Sequence, residues 1–274
     1  MDKLFKIDPK SKFIRYPGGK QRLLSYIMPH LPNPEDIKGF FIEPFVGGGS
    51  VFFALAPQKA LLSDINPVLI DLYKGLKKYP LKVWELFQGF PITKEGYYLV
   101  RDCQKKDNLA YRAARTLYLN RTCFKGMWRE NSNGQFNVGY GGQDRRWVVN
   151  KETLLSVSEF LKRAKLISSD FEEIIEICNK KDFIFLDPPY KPGEKELSHS
   201  HYVYSKFNYD SHKRLARCLN KATKRGIRWA MTTSGHIDIT SLFYGCKIIS
   251  FAKGTGHKPG IISENPGEVL ICNY

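Results

Sequence analysis

Two adjacent prolines, Pro188 and Pro189, follow Asp187 and the short apolar run Phe183-Ile184-Phe185-Leu186. The run has the length and composition of a buried strand. Neither proline has an N–H to give to a ladder, so the chain must leave the sheet at the carboxyl end of that strand. In an open α/β sheet this edge is where ligands bind. The turn delivers a carboxylate (Asp187), carbonyls without neighbouring N–H partners (Pro188, Pro189) and an aromatic plate (Tyr190) to one place. Asp187 and a proline carbonyl can accept hydrogen bonds from a planar amine while Tyr190 stacks on its ring. The same four residues also fit a strand that ends in a tight turn with an Asp cap, and only the rest of the chain separates the two readings.

The 274 residues, 42% of them hydrophobic, suit one α/β domain with a smaller insert. Lys and Arg number 43 against 27 Asp and Glu, a formal charge of +16. That balance points to a polyanion partner, most simply nucleic acid, with a generic basic surface as the alternative. Six scattered cysteines form no C-x-x-C pair, so they read as free thiols in a reducing cytoplasm. No apolar run reaches spanning length and the charged N-terminus lacks a signal-peptide core, so no membrane partner is expected. The six histidines form no ligand set, His199 and His201 falling in a polar loop, and no metal is expected.

From the N-terminus, a basic stretch leads to the turn Pro17-Gly18-Gly19, followed by Leu23, Leu24, Ile27 and Leu31 at helical spacing. Gly39–Glu43 reads as the first core strand, running into a glycine loop (Gly47, Gly48, Gly49) and an apolar helix Val51–Leu55. Strand, glycine loop and helix open a Rossmann-like fold. The third glycine of the dinucleotide fingerprint is replaced by Phe52, which suits an adenosyl ligand without a pyrophosphate. A second strand, Ala60–Ser63, ends at Asp64, an acid placed to take both ribose hydroxyls of an adenosine. Asn66-Pro67 supplies the cap for a helix Val68–Lys78, which leaves Asp64 spare for a ligand. Later elements are a helix Glu152–Lys162, a strand Lys165–Ser168, Asp170-Phe171 with a helix through Ile177, and a helix Asp210–Lys224 stopped by Gly226. Strands Ile227–Met231 and Lys247–Phe251 flank a short helix Ile239–Phe243, and Val269–Cys272 closes the sheet.

From about Pro80 to Asn150 the α/β alternation stops. Helical patterns (Leu81–Phe87, Tyr97–Lys105, Tyr111–Leu119) give way to a polar stretch, and residues 101–150 carry ten Lys/Arg against four Asp/Glu. Met127–Val138 reads as a hairpin turning at Asn133-Gly134. Arginine and aromatic residues on such a ribbon suit base edges in a groove, and a solvated basic hairpin is the competing account.

Seven motifs in one order then resemble the DNA adenine methyltransferase (Dam) family from about Arg15 to the C-terminus. They are Tyr16-Pro17-Gly18-Gly19-Lys20, Glu43-Pro44-Phe45-Val46-Gly47-Gly48-Gly49-Ser50, Asp64-Ile65-Asn66-Pro67 and Leu119–Gly126 with Gln135-Phe136-Asn137-Val138. Ser169-Asp170-Phe171, the Asp187–Tyr190 turn and Glu268–Tyr274 complete the set. The resemblance implies an α/β fold: a Rossmann-like S-adenosylmethionine-dependent methyltransferase sheet with an inserted, mainly helical DNA-recognition subdomain carrying a β-hairpin. Residues 1–70 and 151–274 would be catalytic and 71–150 target-recognising. Tyr16 and Lys20 would lie next to the methyl donor, with Glu43, Phe45 and Gly47–Gly49 on its methionine side. Asp64 would hold the ribose, Asp170 and Phe171 the adenine, and Asp187 both donor and target amine. Phe124 would push into the base stack, Arg129 would read a guanine and Arg15 would approach the outer base. Lys125, Met127, Asn137 and Gly139 share that reading surface. Gly126-Met127 and Asn137-Val138-Gly139-Tyr140-Gly141 depart from the family's pattern, which leaves a GATC-like site as a hypothesis weaker than the reaction.

The implied activity is site-specific adenine methylation of double-stranded DNA, in a restriction system or alone. A cognate endonuclease acting at the same site without stable contact is a partner the resemblance allows. Hydrogen bonds to Asp187 and the Pro188 carbonyl would localise the lone pair of the flipped base's amine toward the methyl group, and a sulfonium is already an activated donor, so no metal is needed. Methylation of cytosine N4, of a glutamine amide or of RNA, and DNA binding without catalysis, remain as alternatives.

Overall fold

The computed structural model describes residues 13–16, 18–103, 108–131, 134–190, 207–251 and 267–274. The basic N-terminal stretch, Pro17, Asn133 and the polar loop with His199 and His201 lie outside them. The described residues form a seven-stranded sheet: β1 (Phe41–Glu43), β2 (Ala60–Asp64), β3 (Ala164–Ser168), β4 (Phe183–Leu186), β5 (Arg228–Ser234), β6 (Lys247–Ser250) and β7 (Glu268–Cys272). Their order is β3-β2-β1-β4-β5-β7-β6. The first five are parallel, and β7 runs antiparallel between β5 and β6. The final strand therefore lies inside the sheet, and β6 takes the edge.

Alternation along the strands explains the layering. Phe183 and Phe185 of β4 face one apolar cluster, while Ile184 and Leu186 face a second on the opposite side. Both sides are covered by helices, so the strand is apolar at every position, as its sequence requires.

Ten α-helical segments are described: α1 (Leu24–Ile27), α2 (Ser50–Leu55), α3 (Pro67–Lys78), α4 (Pro80–Gly89), α5 (Lys94–Asp102), α6 (Leu109–Thr122), α7 (Lys151–Leu161), α8 (Phe171–Glu176), α9 (Tyr209–Lys224) and α10 (Ile237–Thr240). The Asn66 side chain caps α3, accepting from the amides of Val68 and Leu69 at 2.9 and 3.2 Å. The helix expected from Leu23 to Leu31 is instead one α-turn between two 3-10 turns, Lys20–Arg22 and Met28–His30. Pro29 sits within the second and has no N–H for an α-ladder.

Between α3 and α7 no strand joins the sheet among the described residues. Helices α4–α6 fill the gap, and their buried Val83, Phe87, Tyr97 and Leu117 belong to the same cluster as Phe41 and Leu62 of the sheet. The two arms of the expected hairpin pair: the Asn137 amide donates to the Arg129 carbonyl at 3.0 Å and the Asn131 amide to that of Gln135 at 2.9 Å. It is pinned by one bridge, Glu130 to Phe136, rather than by a ladder.

The segment's basic residues do not all face solvent. Arg146 is buried and donates to the carbonyls of Gln88, Phe90 and Pro91 at 2.9–3.0 Å, closing the end of α4. Arg115 donates to the carbonyls of Val100 and Arg101, and buried Arg121 to that of Arg145. Composition alone overstates the positive surface here.

Helices α3 and α6 cross at Gly75, where an added Cβ would lie 2.3 Å from the Ala113 Cβ. Gly75→Ala should lower stability by about 1–3 kcal/mol through overpacking. Gly89→Ala, which meets nothing within 4 Å, should be neutral or mildly stabilising. Paired urea titrations check both, and equal midpoints for the two variants would contradict this packing.

Candidate active site

The strand order reverses between β1 and β4, since β1 continues to β2 on one side while β4 continues to β5 on the other. The chains leaving their carboxyl ends diverge and open a crevice. A cleft of about 410 Å³ lies there, lined by Tyr16, Lys20, Glu43, Phe45, Gly47–Gly49, Asp64, Asp170, Phe171 and Asp187–Tyr190. Every residue expected on the methyl-donor side or in the Asp-Pro-Pro-Tyr turn thus borders one cavity.

The glycine loop is shaped by contact. Gly47 and Gly49 have φ of 46° and 65°, a region that favours glycine. A Cβ on Gly47 would meet the Tyr16 ring at 3.0 Å. The loop is tied down by the Tyr73 hydroxyl donating to the Gly47 carbonyl at 2.7 Å.

Asp64 is not spare. Its Oδ2 accepts from the Gly47 amide at 3.1 Å and its Oδ1 from the Asn66 amide at 3.0 Å. It clips the glycine loop to the start of α3, although each carboxylate oxygen retains a second lone pair. Burial raises its pKa to about 6, against the lowering effect of those two amides. Glu43 is buried too, and burial, followed by the charge of Asp187, pushes its pKa well up while a bond from the Phe52 amide pulls it down. Its Oε2 has no partner among the described residues.

Asp187 follows β4 with its side chain about one-fifth exposed (21%). Lys20 Nζ lies 2.9 Å from its Oδ1, and the Thr232 hydroxyl donates to the same oxygen at 2.8 Å. Both contacts fall on Oδ1 rather than Oδ2. Burial raises the pKa of Asp187, opposed first by Lys20 and then by Thr232. Lys20 Nζ stands 4.7 Å from the centroid of the Tyr190 ring, and the Tyr190 hydroxyl donates to Glu268 Oε2 at 3.0 Å.

At the other end Phe45 and Phe171 stack at 5.4 Å with Phe207 edge-on. Arg214 lies 4.3 Å over Phe171 and 2.7 Å from Asp170 Oδ2. Asp170 also caps α8, accepting from the Glu172 amide.

The residues expected to read a base form a separate group joined through the backbone. The Phe124 amide donates to the Gly139 carbonyl at 2.8 Å and the Met127 amide to that of Phe124 at 3.1 Å. Phe124 is 48% exposed, with Lys125 Nζ 5.2 Å from its ring centre. Lys125 itself holds a left-handed φ of 53°, rare for a residue with a side chain. Arg129 donates to Asn137 Oδ1 at 2.9 Å. Arg15 packs over Gly126, and its backbone is held by both ends of the Asn120 amide at 2.7 and 2.6 Å.

Sequence reasoning missed Thr232, Glu268, Trp128, Phe207 and Arg214. Thr232 lies one residue past the expected end of β5, where its strand neighbours Asp187's. Trp128 was read as part of the hairpin, yet it lines the cleft. Phe207 precedes α9 and Arg214 lies on it, and no local pattern marked either residue.

An α/β sheet with an acid-lined crevice at the carboxyl ends of its strands defines a ligand-binding α/β protein. Residues 16–253 match the model of the D12 class N6 adenine-specific DNA methyltransferases, and the chain belongs to that family. It is similar to the type II methyltransferase M1.LlaDCHI of Lactococcus lactis subsp. cremoris, 35% identical across 96% of this chain and 95% of that one. The type II methyltransferase M.MjaIII of Methanocaldococcus jannaschii is 34% identical over 96% and 98%. The DNA adenine methylase of Vibrio cholerae is 32% identical over 86% of each chain. The fold is thus a Rossmann-like methyltransferase sheet. Among the described residues no helix is long and apolar enough to cross a membrane. All six cysteines are unpaired.

A buried acid with a raised pKa favours the fold in its protonated form, a contribution lost as pH rises through that pKa. Glu43→Gln removes this dependence, so the stability of the variant relative to wild type should improve from pH 5 to pH 8. Urea midpoints at the two pH values check this, and a gap that does not change with pH would show that Glu43 is not held near neutrality.

Proposed function

We propose that this protein transfers a methyl group from S-adenosylmethionine to the N6 amine of an adenine flipped out of duplex DNA. The observation that carries the reading is the charge of the cleft. Glu43, Asp64 and Asp187 line it, Lys20 is the ammonium paired with Asp187, and a buried oxygen of Glu43 lacks a partner among the described residues. Such a site fits a cationic ligand bearing a sulfonium and an ammonium group, and a pyrophosphate would be repelled. Glu43 and the glycine loop would hold its methionine end, Asp64 its ribose, and Phe171 with Asp170 its adenine.

When bound, S-adenosylmethionine supplies a methyl group already activated on a positive sulfonium. The work of the chain is on the other reactant. Asp187 Oδ2 and the Pro188 carbonyl accept the two N–H groups of the adenine amine, which turns its lone pair toward the methyl group, and the proton that the amine sheds on gaining that group passes to solvent. Tyr190 stacks on the flipped base, which offsets part of the few kcal/mol spent on unstacking it. Closure around the base excludes water and fixes the reacting geometry.

Residues 71–150 serve as the target-recognition segment. Phe124 enters the base stack and Lys125 and Arg15 flank it, while Arg129, aligned by Asn137, reads a base edge beside Met127 and Gly139. A GATC-like site is the working assignment. The names of the two type II relatives favour a modification enzyme working opposite a companion endonuclease at the same site.

Expression in a methylation-free bacterium followed by single-molecule sequencing should reveal N6-methyladenine in a short fixed context. N4-methylcytosine, or unmodified DNA, would overturn the reading. Asp187→Ala should still bind DNA and S-adenosylmethionine, since Lys20 keeps a carboxylate nearby in Glu268, yet lose roughly 10³-fold in methyl transfer. Near-normal turnover would remove Asp187 from the mechanism. DNA affinity should fall about 10³-fold or more between 50 and 200 mM salt if six or more phosphates are neutralised, and a flat response would contradict a basic docking surface.

A further inference from the structure

Asp187 shares Lys20 with a second acid to which neither the turn motif nor the methyl-donor cleft gives a task. Lys20 Nζ is 2.9 Å from Asp187 Oδ1 and 3.8 Å from Glu268 Oε2. The side chains of Lys20 and Glu268 are only 4% and 8% exposed. The same Glu268 oxygen accepts the Tyr190 hydroxyl at 3.0 Å. One carboxylate therefore touches both the aromatic ring beside the site and the cation that neutralises the site's acid.

The antiparallel course of β7 explains how a residue so far along the chain arrives here. A parallel strand would bring its last residue to the carboxyl edge of the sheet; β7 brings its first. Glu268 pairs with Ser234 at the end of β5, and Leu270 with Thr232, whose hydroxyl holds Asp187. Glu268 and Thr232 thus approach Asp187 and Tyr190 from two adjacent strands.

The two distances differ in kind. At 2.9 Å Lys20 makes a charge-assisted hydrogen bond to Asp187, whereas 3.8 Å to Glu268 is an ion pair without one. A movement of about 1 Å by a flexible ammonium would reverse that ranking. We propose that Glu268 is a positioning residue for methyl transfer: it pins the Tyr190 ring through its hydroxyl and receives Lys20 from Asp187 when the target amine arrives. The inference rests on the adenine-methylating reading of the preceding subsection.

Pinning matters because a ring that stacks on a flipped base must not turn about its bonds. Handover matters because an acid fully engaged by an ammonium is a poorer acceptor for a neutral amine. The titratable groups facing Asp187 are Lys20, Glu43 from the end of β1, Tyr190 and Glu268 from β7. Glu268 repels the charge on Asp187 and Lys20 attracts it. Removing the Glu268 charge lifts the repulsion and leaves Lys20 to Asp187 alone, and both changes ease ionisation of Asp187.

The test compares wild type, Glu268→Ala, Tyr190→Phe and the double variant in full-length protein. Single-turnover methyl transfer to duplex DNA is followed across pH, with S-adenosylmethionine affinity measured in parallel. Glu268→Ala removes both the acceptor of the Tyr190 hydroxyl and the charge that faces Lys20, and should slow transfer about tenfold, the scale of one lost hydrogen bond, with cofactor affinity within about threefold. Its acid limb should move to lower pH, because activity is lost as Asp187 gains a proton and that now happens at lower pH. Tyr190→Phe should slow transfer to a similar extent, and the double variant should be no slower than the slower single one. A wild-type rate with an unmoved acid limb in Glu268→Ala would overturn the proposal, as would additive losses in the double variant. If Glu268→Ala does not fold, Tyr190→Phe still decides the pinning: transfer at the wild-type rate refutes it. Failure of wild type itself to methylate adenine would instead defeat the underlying functional reading, a distinct outcome.

Discussion

One buried ammonium holds the candidate site together. Lys20 meets Asp187, the Gly18 carbonyl, the Tyr190 ring and, at longer range, Glu268. Burying one charge is expensive unless it is paired and hydrogen-bonded, and Lys20 has both kinds of partner. Around it, Glu43, Asp64, Asp187 and Glu268 crowd more negative charge than it neutralises, and burial drives Glu43, Asp64 and Asp187 toward protonation. A site in this condition is costly to the fold and prepared for a positive ligand. Stability given up at such a place is a common mark of function.

The second constraint is the continuity of the core. Among the described residues the segment between α3 and α7 has no separate apolar cluster; its helices are packed into the one that underlies the sheet. Arg146 reinforces the join, its guanidinium flanked by the rings of Phe87, Tyr118 and Trp147 while it caps the end of α4. That segment and the cleft thus share one core, and Trp128 belongs to both, following Met127 in the loop and lining the cavity. Strain concentrates at the tip, where Lys125 adopts a backbone conformation better suited to glycine or asparagine.

Much of this was legible from residue order. Asn66-Pro67 announced the start of α3 because an Asn side chain satisfies free amides and proline needs none. The apolar run before Asp187 marked a central strand because no other setting buries four such residues in a row. The glycine loop, the acids at the ends of β1 and β4 and the aromatic of the turn were visible as local patterns and converge on one cleft. Local pattern misled in two places, one involving the distant Gly47 and one a proline within the pattern itself. Asp64 looked available because Asn66 already served as a cap, but its oxygens are engaged by the amides of Gly47 and Asn66. Leu23 to Leu31 looked like one helix until Pro29 broke it.

By itself, then, the sequence determined the sheet's buried strands, the turn that ends β4 and the chemical character of the groups placed there, because each depends on neighbours within a few residues. Only the tertiary structure decided which groups complete them. Glu268 lies 81 residues beyond Asp187 in number, and it reaches the site because β7 inserts antiparallel beside β5. Strand direction and register are set by how the whole sheet packs, and no short stretch of residues encodes them.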